Sequence, residues 1–305
     1  MTLIGTLKNI GYIALFILLL PLVPLFIHSV QKLYNRYLDP RAHVAVLPIN
    51  GVLYDSGYYT KNLHHFFKDP GIKAILLKME CNGSASGTGQ AIFNEIMTLK
   101  KIYPKPVVAL IENCCASGGY YIASGADYII ASPMALVGSI GVTFSPLFQL
   151  RFKEFVEQYK IKTVPMAAGD FKNTTNPLVD MTAEQQQMLQ DALDDDYVQF
   201  TTDVAAARNL DIAKAPEWAN GKIFSGVRAH KLGLVDQLGS SSQALAFIEA
   251  KIGTGEFKWT YAPSKFTIWN LLGGESDDTQ DSLFSSCINQ MCTTLENRYS
   301  KCVVQ

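Results

Sequence analysis

Histidine is scarce in this chain. The five present, His28, His43, His64, His65 and His230, have no sequence context tying any of them to a nucleophile. A Ser-His-Asp triad therefore has little support. Spacings of His, Cys, Asp and Glu that would hold a metal are also absent. No motif requires an organic cofactor, so none is expected. Six cysteines are too few for a disulfide framework in 305 residues. Cys81, Cys114 and Cys115 fall near expected strand ends and read as buried thiols. Cys287, Cys292 and Cys302 cluster in the tail. The formal net charge is −1 and no basic stripe occurs, which argues against a nucleic-acid binder. Internal repeats and low-complexity tracts are missing.

A further absence is local. Between Asn9 and Gln31 there is no Asp, Glu, Lys or Arg. Residues 10–27 of that stretch are mostly apolar, and at about 1.5 Å per residue they span roughly 27 Å, close to the hydrocarbon thickness of a bilayer. A cleaved signal peptide would have a shorter apolar core followed by a small-x-small site. Here the run ends in Pro21, Pro24, Phe26 and His28. Residues 1–31 are therefore expected to be an uncleaved, single-span membrane anchor, followed by a polar linker at 32–42. Charge does not settle its orientation. Lys8 and the terminal amine lie on one side and Lys32, Arg36 and Arg41 on the other, which leans against export of the C-terminal part.

The rest of the chain is ample for a core: 48% of residues are hydrophobic. The length admits one large α/β domain or two small ones. Strands are expected at 43–49, ending in the turn Asn50-Gly51, and at 72–79, 106–111, 127–131 and 135–142. Helices are expected at 59–68, 88–101 and 146–159. A short strand at 163–166 and a loop at 167–180 come next. This alternation indicates βαβ units with mainly parallel pairing. A long helix then starts at Thr182, where Gln185 completes a capping box. Its stripe of Met188, Leu189, Ala192, Leu193, Tyr197, Phe200 and Val204 reads as core or subunit interface. Residues 222–252 return to strand, turn and helix. The domain is placed at 43–272. Beyond it, 273–305 comprise an acidic linker and an amphipathic helix carrying Phe284, Ile288, Met291, Leu295, Tyr299 and Cys302 on one face.

The most informative segment is Asn113-Cys114-Cys115-Ala116-Ser117-Gly118-Gly119-Tyr120-Tyr121-Ile122-Ala123. It comes after the apolar run Val107 to Ile111, a buried strand, and opens into small residues suited to a helix start. Ser117 thus stands at the positive end of a helix beside free backbone N–H groups. That is what a nucleophile and its oxyanion hole need. An ordinary N-cap serine fits the local pattern equally. Cys115 is a possible nucleophile, but a buried structural thiol is the simpler reading. Without a histidine, the remaining candidate base is a lysine. A lysine base must be neutral at working pH, which burial in an apolar pocket achieves. Most lysines here sit among other charges. Lys172 stands apart in Ala167-Ala168-Gly169-Asp170-Phe171-Lys172-Asn173, although a solvated loop lysine reads the same way locally.

Ordered motifs then carry a resemblance. Ala116 to Ala123 resembles the nucleophile segment of the signal peptide peptidase A family, which includes SohB-type members. Val137-Gly138-Ser139-Ile140-Gly141-Val142, Gly169-Asp170-Phe171-Lys172, Gly221 to Gly226 and Gly233-Leu234-Val235-Asp236 occur in that family's order. The match runs from about His43 to Ile252. It implies a Clp protease/crotonase-type spiral of βαβ units behind an N-terminal transmembrane helix. It also implies a membrane-bound serine endopeptidase acting on signal-peptide remnants and other unfolded or membrane-derived peptides. Ser117 would be the nucleophile and Lys172 the base, with the oxyanion held by Gly118 and by Gly83 or Ser84. Lys172 would enter a neighbouring subunit of a homo-oligomeric ring. The catalytic part would be periplasmic, on the bacterial inner membrane. One departure stands out. Where the family has Pro-Gly-Gly, this chain has Asn82-Gly83-Ser84, and positive φ at Ser84 would strain a residue with a Cβ. A catalytically weakened peptide-binding scaffold is therefore the alternative. An acyl-CoA enzyme of the same fold is disfavoured by the anchor and the serine-lysine pair.

Overall fold

The computed structural model describes residues 42–144, 152–253 and 257–263, with scattered positions between 20 and 33. It divides into two compact units, one of Val44–Gly255 and one that joins Met1–His43 with Glu256–Gln305. In the second of these, the described positions between 23 and 33 are helical and Phe257–Tyr261 form a strand. Most of the expected membrane anchor and the whole tail helix lie outside the described residues. Among the described residues, no helix is long and apolar enough to cross a membrane.

The larger unit is a mixed α/β fold built on a mainly parallel sheet. Its strands are β1 (Ala42–Leu53), β2 (Ile72–Ser84), β3 (Val107–Ala116), β4 (Tyr128–Ala131), β5 (Leu136–Gly138), β6 (Ile223–Ser225) and β7 (Gln237–Leu238). They lie in the order β6-β5-β3-β2-β1, with β4 on β3 and β7 on β4. β3 pairs in parallel with β2 along one edge. Its other edge is divided. Val108 to Ile111 pair with β4, and Cys114 to Ala116 pair with β5. By contrast, β5 and β6 run antiparallel. Val107 to Ile111 are all almost fully buried, as expected of a parallel strand covered on both faces.

The helices are α1 (Gly57–Lys68), α2 (Ser86–Ile102), α3 (Gly118–Ser124), α4 (Lys153–Gln158), α5 (Ala183–Arg208), α6 (Ala215–Trp218), α7 (Gly226–Lys231) and α8 (Ser241–Ile252). The capping box at the start of α5 forms as the sequence indicates, with Thr182 and Gln185 bonded reciprocally. The apolar stripe of α5 is only half used. Phe200 and Val204 are buried, whereas Met188 and Ala192 are exposed.

Several expected boundaries shift. β1 continues through Asn50-Gly51, where Gly51 takes φ 74°, instead of turning there. The strand expected at 135–142 is only three residues long. The helix expected at 146–159 is described only as α4. No strand forms at 163–166. Val164 and Met166 are 79% and 87% exposed, and β-branched residues without a neighbouring edge to pair with do not make a strand.

The end of α5 is stapled to the sheet. Arg208, with a side chain only 7% exposed, holds Asp236 at 2.6 Å. The other oxygen of Asp236 accepts the amide of Ile129 in β4 at 2.7 Å. Tyr120 in α3 donates to the carbonyl of Leu234 at 2.7 Å. One buried cation thus joins α5, β4 and the segment after α7. Removing it leaves Asp236 without its counter-charge. Arg208→Ala should cost about 3 kcal/mol in chemical denaturation. Arg208→Lys should recover only part of that, since an ammonium lacks the guanidinium fork. A loss under about 1 kcal/mol would mean that the ion pair is not what holds α5.

Candidate active site

Ser117 is the single residue between the end of β3 and the start of α3. Its backbone lies at φ 54°, ψ −129°, a region that suits glycine and costs a residue with a Cβ roughly 1–3 kcal/mol. Two hydrogen bonds hold it there. Its amide donates to Gly138 of β5 at 2.7 Å, and its carbonyl accepts from Tyr121 at 3.0 Å. The first explains why β3 gives up half an edge to β5: that pairing fixes the strained turn. The Ser117 side chain makes no capping bond to the helix. Ser117 thus stands at the N-cap position without spending its hydroxyl on a cap, which leaves that hydroxyl available for chemistry.

The end of β2 presses on this turn. A Cβ on Gly118 would lie 1.9 Å from Ser84 Oγ and 2.7 Å from Ser84 N. A Cβ on Gly119 would meet the carbonyl oxygen of Cys81 at 2.7 Å. A Cβ on Gly83 would point at Ser117, 3.8 Å from its Oγ. β2 was expected to end at 79, but it runs on past an irregularity between Met79 and Cys81 and carries Gly83 and Ser84 to the nucleophile candidate. Among the described residues, the non-glycine positions with positive φ are Ser117, Ser139, Lys160 and Asn209. Ser84 is not among them, so the strain expected there is absent. Its hydroxyl instead donates to Ala85 O at 2.9 Å. The first amides of α3 have no partner within the helix, which leaves Gly118 N–H beside Ser117 as a donor.

These groups open onto one cavity of about 370 Å³. Gly83, Ser84, Ser117 and Gly118 all line it, together with Val52, Val142, Tyr121, Asp196, Gln199 and Phe200. Tyr121 stacks on Phe200 with ring centroids 4.4 Å apart, and its hydroxyl donates to Asp203. Burial and that carboxylate push the phenol well above its usual range.

Lys172 is not in this group. It occupies an exposed turn closed by its own amide donating to Gly169 O at 3.1 Å, and it does not line the cavity. Among the described residues, no histidine lines it either. His64 pairs with Glu95 at 2.7 Å, and His230 meets Val235 O at 2.9 Å. Among the described residues, no group of three or more His, Cys, Asp or Glu is placed to hold a metal. Cys81 and Cys115 are buried and Cys114 half-buried, all unbridged. Burial raises all three thiols, which disfavours the thiolate that a cysteine nucleophile requires.

Tyr121, Asp196 and Gln199 were not singled out from the sequence. Phe200 was, but only as part of an apolar stripe. The usable signal was the spacing of Asp196, Gln199 and Phe200 at i, i+3 and i+4, which shares one helix face.

The contact of Gly118 with Ser84 yields a test. Gly118→Ala must displace the end of β2 or the turn at Ser117. Peptidase kcat/KM should fall at least about 100-fold, as expected when reacting groups shift by around 1 Å. Circular dichroism should still show a folded chain. Activity within about twofold of the parent would show that the turn tolerates the shift.

Comparison with known proteins places this geometry. The model of peptidase family S49 matches residues 100–254, just over half of the chain. A provisionally named protease of Methanocaldococcus jannaschii is 33% identical over 195 residues, covering 64% of this chain and 61% of that one. A provisionally named signal peptide peptidase of Enterococcus faecium is 29% identical over 266 residues, 79% and 76% of the two chains. A provisionally named protease of Synechocystis is 33% identical over 206 residues, 67% and 73%. This chain thus spans 61% to 76% of the length of these relatives. The matched segment holds the strained turn at Ser117, the loop of Lys172 and all of α5. By that match, the chain belongs to peptidase family S49.

Proposed function

We propose that this chain is a membrane-anchored serine endopeptidase with a Ser-Lys dyad and a Clp protease/crotonase-type spiral. The observation that carries the reading is Ser117: a strained turn, a hydroxyl not spent on capping, and a cavity lined by Gly83, Ser84 and Gly118. In the proposed step, Ser117 Oγ attacks the scissile carbonyl carbon while its proton passes to Lys172 Nζ. The oxyanion is met by Gly118 N–H and by an amide of Gly83 or Ser84. Lys172 returns the proton to the leaving amine as the C–N bond breaks. Water then hydrolyses the acyl-enzyme with Lys172 as base.

Lys172 lies outside its own chain's cavity, which supports supply of the base by a neighbouring protomer in a ring. The apolar exposed side chains before it, Phe155, Tyr159, Ile161, Val164 and Met166, are the kind of surface a second copy would cover. The absence of strain at Ser84 weighs against the weakened-scaffold alternative. The substrate class, signal-peptide remnants and other unfolded or membrane-derived peptides, rests on the family and on the name of the Enterococcus relative. The anchor at 10–27 and a periplasmic catalytic unit on a bacterial inner membrane complete the reading.

Ser117→Ala should lower kcat by on the order of 10⁶-fold on an unfolded protein substrate, with the circular dichroism spectrum and oligomer size unchanged. Residual turnover within about tenfold of the parent would remove Ser117 as nucleophile.

Lys172→Arg should be inactive across the accessible pH range, because a guanidinium does not release its proton. Co-assembly of Ser117→Ala chains with Lys172→Arg chains should restore turnover, since some sites then receive Ser117 from one chain and Lys172 from the next. An active Arg variant excludes lysine as base. Silent mixed oligomers, confirmed as mixed by mass, place both residues of the dyad in one chain.

A further inference from the structure

The wall of the cavity formed by α5 carries an unoccupied charge. Asp196, Gln199 and Phe200 occupy one face of that helix and line the cavity beside Ser117. Asp203, two turns on from Asp196, is already engaged, accepting from Tyr121 and, at 2.9 Å, from Gln199 Nε2. Asp196 has no hydrogen-bond or ion-pair partner among the described residues. Among the described residues it is also the one charged side chain lining the cavity, with no Lys, Arg or His beside it. The aromatic pair in the cavity wall is well defined. Tyr121 and Phe200 stack at an interplanar angle of 16° and are 5% and 4% exposed. An adjoining recess of about 440 Å³ shares Gly141 and Val142 with the cavity; among the described residues its lining holds the carboxylate of Asp194, which accepts from Gln190 Nε2 at 2.7 Å, and no cation.

The cavity lining mixes Val52 and Val142 with polar groups such as Gln90, Thr143 and Gln199, a surface along which the methylene stem of a long basic side chain can lie while the carboxylate meets its charged end. A neutral aliphatic side chain would use that surface and leave Asp196 idle. An acidic one would be repelled. We propose that this cleft selects peptides with lysine or arginine at the residue that enters the cavity beside the scissile bond, and that Asp196 determines this specificity. The inference deepens the peptidase reading above and rests on it. The Tyr121–Asp203 bond contributes by holding the ring flat against Phe200 and by leaving Asp196 as the free carboxylate.

The test uses the full-length protein in detergent and a matched peptide series carrying Lys, Arg, norleucine or Glu at each position flanking the cleavage site. At one position, kcat/KM should favour Lys and Arg over norleucine by about fivefold or more, with Glu poorest. Asp196→Asn should shrink the Lys-to-norleucine ratio by about fivefold. Asp196→Glu should keep it, and Asp196→Lys should reverse the order toward Glu. Raising the salt to about 0.5 M should compress the ratio in the parent.

A ratio unchanged within about twofold in Asp196→Asn would overturn the proposal. So would an equal loss on every peptide with a displaced pH profile, which would assign Asp196 to the incoming base. Fluorescence anisotropy of the same labelled peptides on Ser117→Ala protein separates the two readings. If the parent shows no cleavage of any peptide, while Lys peptides still bind preferentially and lose that preference on Asp196→Asn, the peptidase reading fails and only the basic preference of the cleft, as binding, is retained. If peptides are cut without any basic preference, the peptidase reading stands and this one fails.

Discussion

The hydrogen bond from Ser117 N to Gly138 O, 2.7 Å long, is the contact on which the site depends. A serine at φ 54°, ψ −129° does not persist unless its surroundings over-determine it. The surroundings do so by topology. β3 keeps β2 along one edge and shares the other between β4 and β5. The second pairing brings Gly138 to Ser117. Tyr121 N then closes the first turn of α3 on the serine carbonyl. The energy stored in the turn is small beside the burial of the strand that feeds it. Five consecutive side chains from Val107 are almost wholly removed from water, and each contributes about 1–3 kcal/mol.

Steric exclusion completes the arrangement. Gly118 and Gly119 have no room for a Cβ because the end of β2 lies against them. That closeness brings backbone groups of two separate segments beside Ser117. Ser84 shows how such a site absorbs a change of residue. Its backbone avoids positive φ, and its side chain fills the gap above Gly118 and Gly89. A position that reads as a defect in the motif is well packed in the fold.

The sequence revealed the site unevenly, for physical reasons. The alternation of strands and helices and the turn at Ser117 were legible because hydrophobic periodicity and small residues are local signals. Gly83 and Ser84 were legible only through resemblance, since the approach of β2 to α3 is a long-range contact. The failed strand at 163–166 had β-branched residues but no edge to pair with. The stripe on α5 was legible as apolar spacing, yet it hid Asp196 and Gln199, because a stripe read for hydrophobicity passes over polar residues on the same face. Lys172 was singled out by its isolation from other charges. In the fold it occupies an exposed turn, so isolation from other charges along the sequence did not correspond to burial in the chain.

The central claim is that the strained turn makes Ser117 a nucleophile served by a lysine. It is tested most directly by labelling the full-length protein with a fluorophosphonate probe and locating the adduct by mass spectrometry. The account predicts a single adduct on Ser117, lost when the protein is unfolded before labelling and lost in Lys172→Arg. An adduct on any other residue, or labelling of Ser117 that persists undiminished in the unfolded chain, would contradict it.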